Sequence, residues 1–232
     1  MKALGLLLGA GVLALGAGQA NATVSFYAQA SGANGGAITY LASDNGSGGL
    51  SFSGSYGSFY NTLSAVGSPT VDSPTLLTQT LNVSGSAAGL LSLFVVQSGV
   101  VGSPLNLLST FTANAFTGAV TSVVETTYAS QANPFTTNAA GGFALNASQL
   151  ASFTFTDIGT HVSTNSVAGI TGPYYEVARY DVNFGEGGGS ANDTINIQSG
   201  VPEPASWAMM LVGFGFMGMA LRQRRRSAVS FG

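Results

Sequence analysis

His161 is the only histidine in the chain, and Asp157 lies four residues before it in a stretch crowded with serine and threonine. A serine–histidine–aspartate relay needs its members to be neighbours only in space, so hydrolysis is the first chemistry these residues suggest. Any serine-rich chain with one histidine passes that test, and no Gly-x-Ser-x-Gly elbow presents a nucleophile. His161 is therefore expected on a strand or loop surface, and no catalytic residue is assigned. Asp181, Asn183 and Glu186, followed by Asn192 and Asp193, carry the oxygen ligands that calcium takes. They straddle a strand end and a glycine run, which reads as solvated turn chemistry instead. With no cysteine and no second histidine a structural zinc site is excluded, and Lys2, the sole lysine, is no phosphate-cradling lysine. No metal and no cofactor are expected. Arg179 is the only basic residue between Thr23 and Gly200. A lone cation among carboxylates pairs, with Asp181 on its own strand face and Glu125 or Asp157 across the sheet.

The elements that position these groups are strands. From Thr23 onward, short runs of alternating apolar residues are broken by Gly, Ser, Asn and Pro, the pattern of a half-buried sheet. Strands are predicted at Thr23 to Gln29, Ile38 to Ala42, Leu50 to Tyr60, Leu76 to Ser84, Leu90 to Val96, Val120 to Tyr128 and Tyr174 to Phe184. Leu90 to Val96, apolar throughout, belongs near the middle of a sheet. Ser152 to Thr156 alternates most cleanly, with Phe153 and Phe155 on one face. In Tyr174 to Phe184 the residues Ala178, Tyr180, Val182 and Phe184 share one face, and Arg179, Asp181 and Asn183 the other. Ser43 to Gly49 suits a hairpin turn, Ser64 to Pro74 and Asn133 to Gly142 read as loops, and Leu105 to Ala115 is ambiguous. A short helix capped by Asn146 is expected over Ala144 to Ala151. Gly185 to Gly189 reads as a flexible linker, and Asp193 to Gln198 as a final edge strand. Eight to ten short strands without a fixed repeat predict a mainly β chain: one β-sandwich or jelly-roll-like domain, residues 23–200.

Composition narrows the partners. One arginine against eight carboxylates gives residues 23–200 a net charge of −7, and nucleic acid is excluded because its binding rests on Lys and Arg neutralising phosphates. Ser, Thr, Asn and Gln must supply the polar surface, which suits neutral, hydroxyl-rich partners. Without cysteine there is no disulfide, so the core alone must hold the fold.

Both ends are specialised. Lys2 precedes an apolar run from Ala3 to Gly18, and Ala20-Asn21-Ala22 is a small-x-small site, so residues 1–22 read as a secretory signal cleaved after Ala22. No twin arginine precedes the run, which points to the Sec translocon. At the other end, residues 201–232 hold three units in order. Pro202-Glu203-Pro204 is stiff and extended. Ala205 to Leu221 carries no charge and as a helix measures roughly 25 Å, slightly short of a bilayer core of about 30 Å. Trp207 and Ala208 stand at one end of that transmembrane helix, and Arg222, Arg224, Arg225 and Arg226 close the other, placing the arginines in the cytoplasm.

The order Pro-Glu-Pro-x-x-Trp-Ala, apolar span, arginine cluster resembles the PEP-CTERM sorting tail, in its PEPxxWA variant, of Gram-negative envelope proteins. The resemblance covers about 30 residues, and Ser227 to Gly232 extend past its usual end. It implies an exported precursor held in the inner membrane until an exosortase, a membrane protease, cuts near Pro202 to Pro204. It also implies a mature form in the envelope or extracellular matrix of an exopolysaccharide-making bacterium. For the body, the expected function is that of a non-enzymatic envelope or matrix component associated with exopolysaccharide. The alternatives are a carbohydrate- or surface-binding module and, least supported, a secreted hydrolase. Ice binding would need a flat Thr face, and the Thr residues are scattered along the chain. The Tyr174-Tyr175 pair leaves a sugar-contacting aromatic row open.

Overall fold

The computed structural model describes residues 23–68, 75–101, 106–137, 142–167, 169–170, 172–199, 210 and 212–217. Period-two alternation gives most of the twelve strands one apolar face, and these faces are buried together. They are β1 (Thr23–Ala30), β2 (Thr39–Ser43), β3 (Gly49–Tyr56), β4 (Phe59–Ser68), β5 (Thr75–Gly85), β6 (Gly89–Val100), β7 (Asn106–Ser130), β8 (Phe135–Thr137), β9 (Phe143–Leu145), β10 (Ser148–Phe155), β11 (Gly159–Ser166) and β12 (Tyr174–Ser199).

The two longest strands organise the rest. β7 and β12, of 25 and 26 residues, pair antiparallel from Tyr175 opposite Ser130 to Ser199 opposite Leu107. The first half of β12 is flanked by β6 and the second half by β5. The second half of β7 carries β10 and its first half β11. Two layers result, β2-β1-β6-β12-β7-β10 and β3-β4-β5-β12-β7-β11, with β7 and β12 running through both. The layers pack face to face. Phe26 of the first stands 5.1 Å from Phe52 of the second, and Phe184 of the first 5.2 Å from Phe59 of the second. The Tyr180 hydroxyl crosses the interior to Thr78 and accepts the Ile195 N–H at 2.8 Å. A second cluster, of Ile38, Phe94, Val96, Tyr128, Phe135 and Val177, sits on the outside of the first layer. It is covered by the β8–β9 hairpin.

Both long strands turn from one layer into the other at a glycine corner. The register of β12 against β7 shifts between Phe184 and Gly189, and Gly118 and Gly188 hold φ of +67 and +66°. A Cβ on Gly188 would lie 2.0 Å from the Gly85 carbonyl oxygen, and one on Gly118 2.7 Å from that of Gly188. Three backbones meet there with no room for a side chain.

Several expectations are corrected. Gly185 to Gly189 is no linker: it lies inside β12 and forms the corner. Asp193 to Gln198 is no edge strand, because it lies between β5 and β7. Ala144 to Ala151 is no helix, since β9 ends at Leu145 and β10 begins at Ser148, paired with β7. Ser43 to Gly49 joins different layers, so it is not a hairpin turn. Leu50 to Tyr60 divides at Gly57 into β3 and β4, and β4 continues through Ser64–Ser68 where a loop was expected. Phe135–Thr137 is likewise strand. Met210 and residues 212–217 are helical and exposed. Among the described residues no helix is long and apolar enough to cross a membrane. The expected signal at residues 1–22 with Ala20 and Ala22, the motif residues Pro202, Glu203, Pro204, Trp207 and Ala208, and the Arg222 to Arg226 cluster lie outside the described residues, as does most of the expected span 205–221.

Candidate functional site

Strand alternation sends every second residue of the second layer outward, and the register lines those residues into rows. Ser55, Tyr60, Ser84, Ser190 and Thr117 form one row across β3, β4, β5, β12 and β7, and Ser53, Thr62, Asn82, Asn192 and Ala115 the next. A third runs Thr194, Thr112, Thr160 into β11. The side chains bond along the rows. The hydroxyls of Thr117 and Ser190 are 2.6 Å apart, and those of Thr112 and Thr160 3.3 Å. Asn192 donates its amide to Asn82, and Asn114 donates to the Thr194 hydroxyl at 3.1 Å. Threonines that read as scattered in the chain thus stand together on one face.

Among the described residues no Asp, Glu, Lys, Arg or His points outward from the second-layer stretches of these strands; Arg179 and Asp181 of β12 point out of the first layer, and Glu186 is exposed at the glycine corner. Tyr60 is the face's aromatic feature. The residue is 48 % exposed, and its hydroxyl lies 2.6 Å from that of Ser53. It stands between two shallow grooves. One, of about 300 Å³, is lined by Thr62, Asn82, Ser84, Ser190 and Asn192. The other, of about 340 Å³, is lined by Ser55, Ser58, Ser84 and Ser86. A half-exposed ring flanked by neutral donors and acceptors suits a ligand with apolar faces and hydroxyl edges.

The groups first suspected of chemistry are dispersed. His161, on β11, stacks on Phe153 at 4.0 Å between ring centroids, whereas Asp157 sits in the preceding turn and accepts the Ile158 N–H at 2.7 Å. No hydrogen bond joins them among the described residues. Asp181 pairs with Arg179 at 3.0 Å, as expected from their shared strand face, and accepts from the Ser92 hydroxyl. Arg179 also lies 5.4 Å above the Phe94 ring. Glu125 faces inward and makes no such pair. Asp181 and Asn183 point out of the first layer while Asp193 points into the core. The oxygen ligands suggested for calcium are therefore split between faces. Tyr174 is fully buried and Tyr175 packs under the β8–β9 hairpin, so that pair forms no exposed row.

Sequence reasoning missed the buried acids. Glu125, Glu176 and Asp193 are inaccessible to solvent. Burial pushes Glu125 up to about 9, reinforced by the charge of Asp193 and held back a little by the Thr112 amide. It pushes Asp193 up to about 8. Glu176 also rises to about 8 through burial, with the Tyr174 hydroxyl, donating at 3.1 Å, working in the opposite direction. No oxygen of Asp193 has a hydrogen-bond partner among the described residues. Desolvation this complete holds the three acids neutral near pH 7.

No curated protein matches the sequence. Among solved structures, TmCBM61 in complex with beta-1,4-galactotriose aligns at 10 % identity over 53 % of this chain and 80 % of its own, TM-score 0.31. The adhesin domain of Epf from Streptococcus pyogenes aligns at 8 % identity over 75 % and 57 %, TM-score 0.33. The cleaved adhesin domain K1 of Lys-gingipain from Porphyromonas gingivalis aligns at 12 % over 66 % and 98 %, TM-score 0.32. Likeness of that extent assigns neither a ligand nor a partner. The tail is more specific: residues 200–226 match the PEP-CTERM protein-sorting motif. The chain carries a PEP-CTERM sorting signal, which implies an exported, membrane-anchored precursor processed by an exosortase.

Proposed function

We propose that this protein is a non-enzymatic component of the cell envelope or extracellular matrix, whose β-sandwich body holds neutral polysaccharide on the Tyr60 face. In this reading the Sec translocon exports the chain and the signal is removed after Ala22. Pro202, Glu203 and Pro204 present the exosortase with an extended segment, and the arginine cluster holds the precursor with its C-terminus in the cytoplasm until cleavage. The observation that carries the polysaccharide assignment is the uncharged face itself, hydroxyls and amides in register around one exposed ring. A polyuronate would meet no cation there, and the body's net charge of −7 opposes it. A neutral chain loses nothing electrostatically. It exchanges hydroxyl–water bonds for hydroxyl–protein bonds and stacks an apolar sugar face on Tyr60.

All described strands lie within residues 23–199, which close one core, so this body serves as the test protein. In affinity electrophoresis it is expected to be retarded by neutral glucans or galactans and not by polyuronates. The retardation should be insensitive to salt, because no ion pairs form. Tyr60→Ala should weaken binding at least tenfold, about 1.4 kcal/mol, while changing stability by less than about 0.5 kcal/mol, since the ring is exposed. Equal retardation of Tyr60→Ala and wild type would remove the assignment.

A further inference from the structure

We propose that the layer bearing the Tyr60 face is open to a second copy of this chain at both ends, β11 of one molecule pairing antiparallel with β3 of the next. The two layers treat their edges differently. In the first, β2 has only five residues, and its ladder with β1 shifts register between Phe26 and Tyr27. Beside its start, the Phe143 amide of β9 bonds to the Ile38 carbonyl. The opposite edge, β10, carries a register shift between Gln149 and Ala151. Short strands, bulges and covering hairpins are how sheets avoid edge-to-edge association.

The second layer has none of these devices. β3 and β11 are each eight residues long, contain no Asp, Glu, Lys, Arg or Pro, and pair with β4 and β7 without a register shift. Among the described residues nothing pairs with their outer sides. Each therefore presents a straight row of backbone N–H and C=O groups, enough for about eight hydrogen bonds with an equally long partner. Outward side chains at these edges, Ser51, Ser53, Val162 and Thr164, are exposed and uncharged, so like-charge repulsion does not keep two copies apart.

Topology selects the mode. All ladders of the layer are antiparallel, and with six strands β3 and β11 run in opposite directions. Displacing one copy along the sheet sets β11 against β3 in antiparallel order and prolongs the hydroxyl rows from one molecule to the next. Such head-to-tail contact does not close on itself and generates a filament. The inference rests on the edges alone and stands whether or not the Tyr60 face binds polysaccharide.

Sedimentation velocity on the body, residues 23–199, tests it with two variants, Ser51→Lys/Ser53→Lys on β3 and Val162→Lys/Thr164→Lys on β11. Wild type is expected to form species larger than dimers as concentration rises. Each variant alone should be monomeric, and an equimolar mixture should stop at heterodimers, since each supplies the edge the other lacks. A wild type that stays monomeric overturns the proposal. So does a β3 variant that dimerises by itself, which would mean β11 pairing with β11. Hydrogen exchange on the wild type is independent of how the variants fold. Amides of β3 and β11 should exchange at least tenfold more slowly at high concentration, and unchanged exchange there contradicts the pairing.

Discussion

Between pH 5 and pH 9 the body is expected to lose at least 6 °C of unfolding temperature, with nearly all the loss above pH 5. Glu125, Glu176 and Asp193 have ordinary values of 4.5, 4.5 and 3.8, and in the fold they rise to about 9, 8 and 8. Within that window the native state binds more protons than the unfolded chain, so stability falls as pH rises. It is fully present below about pH 4 and its loss is complete above about pH 9. One carboxyl displaced by two units accounts for about 3 kcal/mol, which at 2–4 °C per kcal/mol is roughly 6–12 °C for a body of this size. Three such acids exceed that. Melting followed by circular dichroism at fixed ionic strength reads the profile directly. Glu125→Gln should flatten it and melt above wild type at pH 9, because the amide keeps the shape and never ionises. A profile level from pH 5 to 9 would mean that the acids reach solvent in the native state.

Gly188→Ala is expected to lower stability by roughly 2–6 kcal/mol, combining a left-handed backbone cost of about 1–3 with overpacking of about 1–3. The new methyl would meet the Gly85 carbonyl oxygen at 2.0 Å, and backbone, unlike a side chain, has no rotamer to escape into. The neighbouring Gly187 supplies the control. Its φ is +89° but the space around it is open, so Gly187→Ala should lose only the conformational term, about 1–2 kcal/mol. Chemical denaturation of both variants separates the two contributions. Equal losses would show that crowding at the corner is relieved by movement of β5.

How far the sequence carried can be judged from particular stretches. Ser152–Thr156 and Ala178–Phe184 were legible because one face is apolar and the other polar, and burial follows that alternation residue by residue. Ala144–Ala151 was not, since a short run of helix-compatible residues took its conformation from pairing with β7. The glycines at 185–189 signal freedom in a linear reading, whereas here they mark where three backbones converge. Asp193 misled in the same way: an acid suggests an exposed edge, yet it is buried between β5 and β7. The candidate face could not be read at all. Its rows draw on five or more separated segments, and only their register makes neighbours of Thr112 and Thr160 or of Tyr60 and Ser84. The sorting motif at residues 200–226 was legible, because a Pro-Glu-Pro segment, an apolar span and an arginine cluster stand in linear order and need no fold around them to be read.

The account rests most heavily on a body that is sorted, cut and retained with polysaccharide. Intact-mass analysis of the protein recovered from membrane and exopolysaccharide fractions of its host, with and without the exosortase, addresses that directly. The account predicts a product beginning at Thr23 and ending near Pro202–Ala205 in the polysaccharide fraction, absent when the protease is deleted. A chain that keeps its arginines and stays in the membrane fraction of both strains would contradict it, leaving the tail as a plain anchor.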